Sequence, residues 1–276
     1  MERLTAPAKL TLSLRVVGVR ADGYHLLDAE MVSLDLADVL DFASGNELHV
    51  VDETVGGAGI GALHGAGVNL VTRALGVVGR CAAVRLVKRI PVGAGLGGGS
   101  SDAAAVLRWA GCRDLSVGVA LGADVPFCMV GGRAQVRGVG EAVDPLPFEP
   151  RRLLLLLPPL AVDTAAVYRA FDVGERQAGG DDVGNDLEAA ALSVAPALRG
   201  WRAALADACG SAPRLAGSGA AWFVEDPDGT LAGQVGEQLV VGGVAAPVLS
   251  VHTVPPFGDP GIASRAGPGR QPTRHR

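Results

Sequence analysis

The 276-residue sequence predicts an α+β fold. Segments with the two-residue period of strands and segments with a helical period both occur, without the steady βα alternation of a doubly wound parallel sheet. A strand, a glycine-rich turn and a helix follow one another at 82–110. Three prolines between Asp144 and Arg152 mark a boundary, and the halves on either side are long enough to hold cores.

The elements read as follows. Leu4 to Val17 alternates, with Leu10, Leu12 and Leu14 facing one way and Lys9, Thr11, Ser13 and Arg15 the other, so it is a half-buried strand. Asp22-Gly23 signals a turn, and Met31 to Phe42 is a further strand region. Gly56 to Gly67 is a glycine-rich loop, Asn69 to Val78 a short helix, and Ala82 to Ile90 a strand. After the turn Pro91 to Ser101, Asp102 to Ala110 reads as a helix with a serine cap before it and Gly111 after it. Val117 to Leu121 is a helical piece, and Arg133 to Val139 and Leu153 to Leu157 are strands. Asn185 to Ala208 reads as helical, opened by an Asn185/Glu188 capping box and broken near Pro196. A second glycine-containing turn, Gly217-Ser218-Gly219, lies within Leu215 to Val224. The resulting division is 1–147, 148–257, and a basic tail, 258–276, expected to be disordered.

Composition excludes several functions. A net charge of −5 and a pI near 5.5 argue against a nucleic-acid binder, which carries a basic face. No secretory signal or membrane span is expected; Leu153 to Val162 is too short for a bilayer and contains Pro158 and Pro159. The four cysteines include no CxxC pair and read as reduced thiols of a cytoplasmic protein. Among 24 basic residues only Lys9 and Lys88 are lysines, and in an arginine-biased chain each stands out as a compact point charge. Monomer and homodimer both remain open.

Strand, glycine turn and helix is an arrangement that holds phosphates, because glycines admit backbone N–H groups close to the oxygens and the helix start adds unpaired donors. Five glycines fall between Gly93 and Gly99, followed by Ser100 and Ser101. The turn is not a Walker A loop, since Gly99 stands where that motif has lysine. Gly93, Gly95 and Gly98 match GxGxxG. A dinucleotide fold would add a strand-end acid about 20 residues on, and the sequence there is Ser116-Val117-Gly118.

The string Pro91-x3-Gly95-Leu96-Gly97-Gly98-Gly99-Ser100-Ser101-Asp102-Ala103-Ala104 resembles the ATP loop of the GHMP kinases. Three further segments narrow the resemblance: Ala6-Pro7-Ala8-Lys9-Leu10, Arg20 to His25 (RADGYH), and Leu121 to Phe127 (LGADVPF). They are similar to the members that use ATP to phosphorylate the 2-hydroxyl of a cytidine-diphosphate-linked methylerythritol.

The resemblance implies a two-domain fold with the active site in the cleft between domains, and ATP with Mg²⁺ as cofactors. It implies Lys9 and Asp124 as the catalytic pair, with Pro91, Gly93, Gly95, Leu96, Gly97, Gly98, Gly99, Ser100 and Ser101 wrapping the phosphates. Tyr24 and His25 match residues that hold cytosine, and Thr11 and Asn185 join them as substrate contacts. Asn69 and Lys88 are nucleotide candidates, although Asn69 is first a helix cap. No residue is assigned to metal. Thr11 replaces the family's asparagine while keeping a hydroxyl donor, and Val183 stands where the family has an aromatic ring. Losing one stacking partner costs about 1–3 kcal/mol. Three alternatives remain: a homoserine- or mevalonate-type kinase, a non-catalytic nucleotide-binding relative, and a dinucleotide-dependent oxidoreductase.

Overall fold

The structure, a computed structural model, describes residues 1–55, 69–174 and 184–258. The loop at 56–67, Val183 and the tail beyond Gly258 therefore lie outside the described residues.

The chain opens on two long strands, β1 (Glu2–Val19) and β2 (His25–Ala43), followed by β3 (Leu48–Asp52), α1 (Leu70–Val77), β4 (Ala83–Lys88) and α2 (Gly98–Trp109). Then come α3 (Leu115–Leu121), α4 (Val125–Val130), β5 (Arg133–Gly138) and β6 (Ala142–Leu146). The later half holds β7 (Arg152–Leu156), α5 (Thr164–Val173), α6 (Glu188–Val194), α7 (Leu198–Cys209), β8 (Arg214–Leu215), β9 (Trp222–Glu225), α8 (Leu231–Val235), β10 (Gln238–Val241) and β11 (Val244–His252).

Two sheets result. The first runs β3-β4-β2-β5-β6 with β1 on β2, and only β3 on β4 is parallel. One edge of β2 is shared: Leu27 to Val32 pairs with β5 and Val39 to Ala43 with β4, while β1 covers the other edge. The second sheet runs β10-β11-β7-β9-β8 and is antiparallel throughout. Mixed antiparallel-rich sheets with intervening helices agree with the α+β reading.

Alternation explains the cores. On β7, Leu153 and Leu155 enter one apolar cluster and Leu154 and Leu156 the other, as a strand covered on both faces requires. Leu10 and Leu12 of β1 join Val32, Leu34, Ile90, Leu96 and Phe223 in the first of these clusters. Leu14, expected on the same face, packs instead in the other cluster. The register shift between Thr11 and Ser13 breaks the alternation there. Helix α2 is central: Ala103, Ala104, Ala105, Val106 and Leu107 are all fully buried, which suits a helix apolar on nearly every side.

Two helix expectations change. Helix α2 begins at Gly98, four residues before the expected start, with Gly97 at its cap in the left-handed region (φ 66°). The serines thus lie inside its first turn rather than capping it. The long helix at 185–208 is two, with α6 ending before Pro196 and α7 starting after it. Leu187 occupies the cap position of α6, so the Asn185/Glu188 capping box is replaced by a turn in which Asn185 Oδ1 accepts from Leu187 N at 3.0 Å.

Candidate active site

The turn between β4 and α2 lines a cleft of about 350 Å³, together with Asn69, Leu70 and Lys88. Gly93, Gly95 and Gly97 all have left-handed backbones (φ 76°, 84° and 66°), a conformation that disfavours any side chain. The first amides of α2, on Gly98, Gly99 and Ser100, have no partner four residues back and so form the donor end of a helix. Among the described residues the Ser100 hydroxyl makes no hydrogen bond. Ser101 is buried, and its hydroxyl donates to Pro7 O at 2.6 Å, so it ties the loop to β1 rather than facing the cleft. Pro91 and Leu96 line the cleft, and Leu96 O accepts from Lys9 N at 3.0 Å.

These two ties clamp Lys9 against the loop. Its side chain is 7% exposed, and its ammonium lies 3.5 Å from Asp124 Oδ2 and 3.3 Å from Thr11 Oγ1. A Cβ on Gly97 would lie 2.7 Å from Lys9 Cγ, so glycine there makes room for the lysine stem. Asp124 stands at the start of α4, and its side chain is 31% exposed and caps no amide. A lysine expected on a solvent-facing strand is therefore buried, with a carboxylate open to solvent beside it.

The second glycine turn closes the other side. A Cβ on Gly217 would lie 3.5 Å from Lys9 Nζ. One on Gly219 would lie 2.3 Å from Gly95 N, so backbone meets backbone. Ala221 N donates to Ala94 O at 3.1 Å. The turn is braced by Asn185, whose amide donates to Leu215 O (3.0 Å) and Gly217 O (2.6 Å). With its oxygen on Leu187 N, both ends of the Asn185 amide are engaged within the chain. These bonds give Asn185 a part in positioning the turn.

Lys88 lies beneath the loop, 3.1 Å from where a Cβ of Gly98 would stand. It is held by Asp38 and, at 2.7 Å, by Asp102 Oδ2. Asp38 Oδ1 also accepts from Arg89 N (2.5 Å) and Ile90 N (2.9 Å). Burial pulls the Lys88 ammonium down, but the two carboxylates outweigh it and raise it. Burial pushes Asp102 up to about 7 against the pull of Lys88. Two buried carboxylates share one ammonium, and Asp102 Oδ1 has no partner. Lys88 thus lines the cleft with its charge already engaged. Asn69 caps α1, accepting from Val71 N at 2.9 Å, and lines the same cleft.

Tyr24 is 63% exposed. His25 is not exposed: its ring stacks on Tyr168 (4.7 Å between centroids), meets Phe171 edge-on, and places Nε2 2.7 Å from Asp172 Oδ1. Burial, reinforced by the Asp124 charge, pushes the Tyr168 hydroxyl up to about 12. The sequence reading missed Tyr168, Asp172, Asp38 and the charge on Asp102. Tyr168 is one of only two tyrosines, the one hint available; the aspartates sit among many others.

Among the described residues no group of three or more His, Cys, Asp or Glu side chains is arranged to hold a metal ion. No helix there is long and apolar enough to cross a membrane.

Comparison with known proteins addresses the family and the fold. Residues 66–132 match the GHMP kinases N terminal domain. The chain is 40% identical over 240 residues to the 4-diphosphocytidyl-2-C-methyl-D-erythritol kinase of Paracoccus denitrificans (strain Pd 1222), covering 80% of this chain and 85% of that one. It is 33% identical to the protein of the same name from Nitrosomonas eutropha (strain DSM 101675 / C91 / Nm57), covering 93% and 100%. A crystal structure of 4-(cytidine 5'-diphospho)-2C-methyl-D-erythritol kinase superposes with a TM-score of 0.67 at 31% identity, covering 91% of this chain and 99% of that one. On identity and coverage over most of its length, the chain belongs to the 4-diphosphocytidyl-2-C-methyl-D-erythritol kinases of the GHMP kinase family and is a small-molecule kinase.

Proposed function

We propose that the chain transfers the γ-phosphate of ATP to the 2-hydroxyl of 4-diphosphocytidyl-2-C-methyl-D-erythritol, a step of isoprenoid precursor synthesis. The observation that carries this reading is the Asp124 carboxylate, 3.5 Å from a buried lysine that is hydrogen-bonded through its backbone to the glycine loop. The relatives' names supply the acceptor.

Phosphoryl transfer depends on positioning and charge stabilisation more than on covalent chemistry. In this reading the amides of Gly97 to Ser100 face the nucleotide phosphates. Asp124 accepts the proton of the acceptor hydroxyl, and Lys9 holds the carboxylate in place and offsets charge developing on the oxygen. Thr11 orients the ammonium. Tyr24 and His25 hold the base of the acceptor. Asn69 and Lys88 border the nucleotide, with Lys88 supporting the loop from below. The close approach of Gly219 to Gly95, and of Gly217 to Lys9, supports a site at the junction of units 1–147 and 148–257 in this reading.

Magnesium fits the donor set: the free Ser100 hydroxyl and nucleotide phosphates are hard oxygen ligands. When bound it neutralises phosphate charge. Such an ion is held largely by phosphates and water, so no protein cluster is required.

The test is ADP release with Mg²⁺-ATP and the cytidyl alcohol, homoserine or mevalonate, for wild type and Asp124→Asn. Release driven only by the cytidyl alcohol, and lost in the variant, is expected. Preference for another alcohol would refute the acceptor assignment and leave the kinase intact.

A further inference from the structure

We infer that Asp172 is a specificity-determining positioning residue: it fixes the hydrogen on Nε2 of His25, so that Nδ1 is presented to the substrate as an acceptor. The inference rests on the proposed reading only in taking His25 to face the substrate base.

The geometry comes from one helix. Tyr168, Phe171 and Asp172 are three and four residues apart on α5, so they share a face. All three meet the same imidazole: Tyr168 stacks at 4.7 Å and 30°, Phe171 meets it edge-on at 6.0 Å and 79°, and Asp172 takes Nε2 at 2.7 Å. The two rings fix the plane of the imidazole, and the carboxylate fixes its rotation within that plane. His25 is the first residue of β2, so its backbone is held as well.

An ionised carboxylate only accepts hydrogen bonds. Nε2 must therefore carry a hydrogen, and in the neutral ring Nδ1 is the bare nitrogen. Among the described residues no hydrogen bond is recorded at Nδ1. An acceptor there suits a base edge that offers an N–H, such as the exocyclic amine of cytosine. It opposes the carbonyl oxygen that uracil has at the same place. To accept uracil the neutral ring must move its hydrogen to Nδ1 and give up a charge-assisted bond to Asp172, or else take up a second proton. Without Asp172 the neutral ring is free to adopt either form. The carboxylate thus supplies discrimination against the wrong base without touching it.

Asp172→Ala tests this. Asp172 is 50% exposed near the end of α5, so its loss leaves the core intact. The first readout is ¹⁵N NMR of the imidazoles, with His25 assigned by its disappearance in His25→Ala. Wild type is expected wholly in the Nε2–H form, and Asp172→Ala as a mixture. The second is the ratio of kcat/KM for the cytidyl alcohol to that for its uridyl analogue. That ratio should fall about 10-fold in Asp172→Ala, the worth of one hydrogen bond to a charged group, through KM, with kcat on the cytidyl substrate kept. Asp172→Glu should restore it. A merely structural role would lower both substrates together and leave the ratio unchanged; that result, or an unchanged tautomer in Asp172→Ala, overturns the inference. If neither nucleotidyl alcohol turns over in wild type, the acceptor assignment has failed, and the NMR result still decides what Asp172 does to the ring.

Discussion

Asp124 and Lys9 form an ion pair of unequal access: at 3.5 Å separation the Asp124 side chain is 31% exposed and the Lys9 side chain 7%. The lysine is fixed by β1 and the glycine loop, and the carboxylate is the partner a substrate can reach. Asp124→Asn keeps the shape and removes the base. Its kcat should fall by about 10²–10⁴, while nucleotide affinity measured by equilibrium titration stays close to wild type. A kcat near wild type would remove Asp124 from the chemistry.

Gly219→Ala should behave as a phosphate-loop lesion although it lies far along the chain. The added Cβ would stand 2.3 Å from Gly95 N and 2.5 Å from Ala94 C, where neither backbone has room to yield. A loss of about 1–3 kcal/mol in stability is expected, with weakened nucleotide binding. Gly233→Ala is the control. It meets nothing within 4 Å and lies in α8, so it should be neutral or slightly stabilising in chemical denaturation.

Asp102 makes stability depend on pH. Burial holds its carboxyl at about 7, above its ordinary 3.8. Between those values the folded chain binds more protons at this site than the unfolded chain does, so stability falls as pH rises. The contribution is fully favourable below the unfolded value, declines as pH rises towards about 7, and is constant above it. Asp102→Asn removes the charge and the slope. Thermal melts at pH 5 and pH 8 should show the variant gaining on wild type at pH 8. A gain of the same size at both values would mean that Asp102 does not titrate in this window.

Asn185→Asp separates bracing from substrate contact. The amide donates to two carbonyls, Leu215 O and Gly217 O, and a carboxylate would face both with no hydrogen to give. A loss of about 1–3 kcal/mol follows from the unpaired groups. It should appear in melts without substrate. Unchanged stability with a raised KM would instead make Asn185 a substrate contact.

Much of this was legible in the sequence because local rules and tertiary structure agree there. Alternation on β1, glycines needing left-handed backbones at Gly93, Gly95 and Gly97, and the Asn69 cap each follow from a few neighbouring residues. The start of α2 was misplaced because Gly98 to Ser101 reads as turn chemistry. In the fold these residues form the first helical turn, anchored to β1 through the buried Ser101 hydroxyl on Pro7 O, and that tie together with the packing of the rest of α2 outweighs their poor propensity. Leu14 was misassigned because a register shift leaves no mark in a single strand's pattern. The Asp38–Lys88–Asp102 cluster joins three separate elements, and nothing near any one aspartate announces its partner. Tyr168 and Asp172 reach His25 from more than 140 positions along the chain, a pairing that only the packing of α5 reveals.

Strand β2 has one further consequence. His25 is its first residue, Ser33 stands opposite Lys9 in its ladder with β1, and Asp38 follows five positions on. On the proposed reading these three stations serve the base of the acceptor, the point of transfer and the support of the nucleotide, in that order along one continuous strand. A hydrogen-bonded strand does not stretch, so β2 holds these three stations at fixed separations. Deleting one residue between His25 and Ser33 would shorten that spacing and turn the residues on one side of the cut to the opposite face of the sheet. The spacing of the three stations is thus set by the length of a single strand.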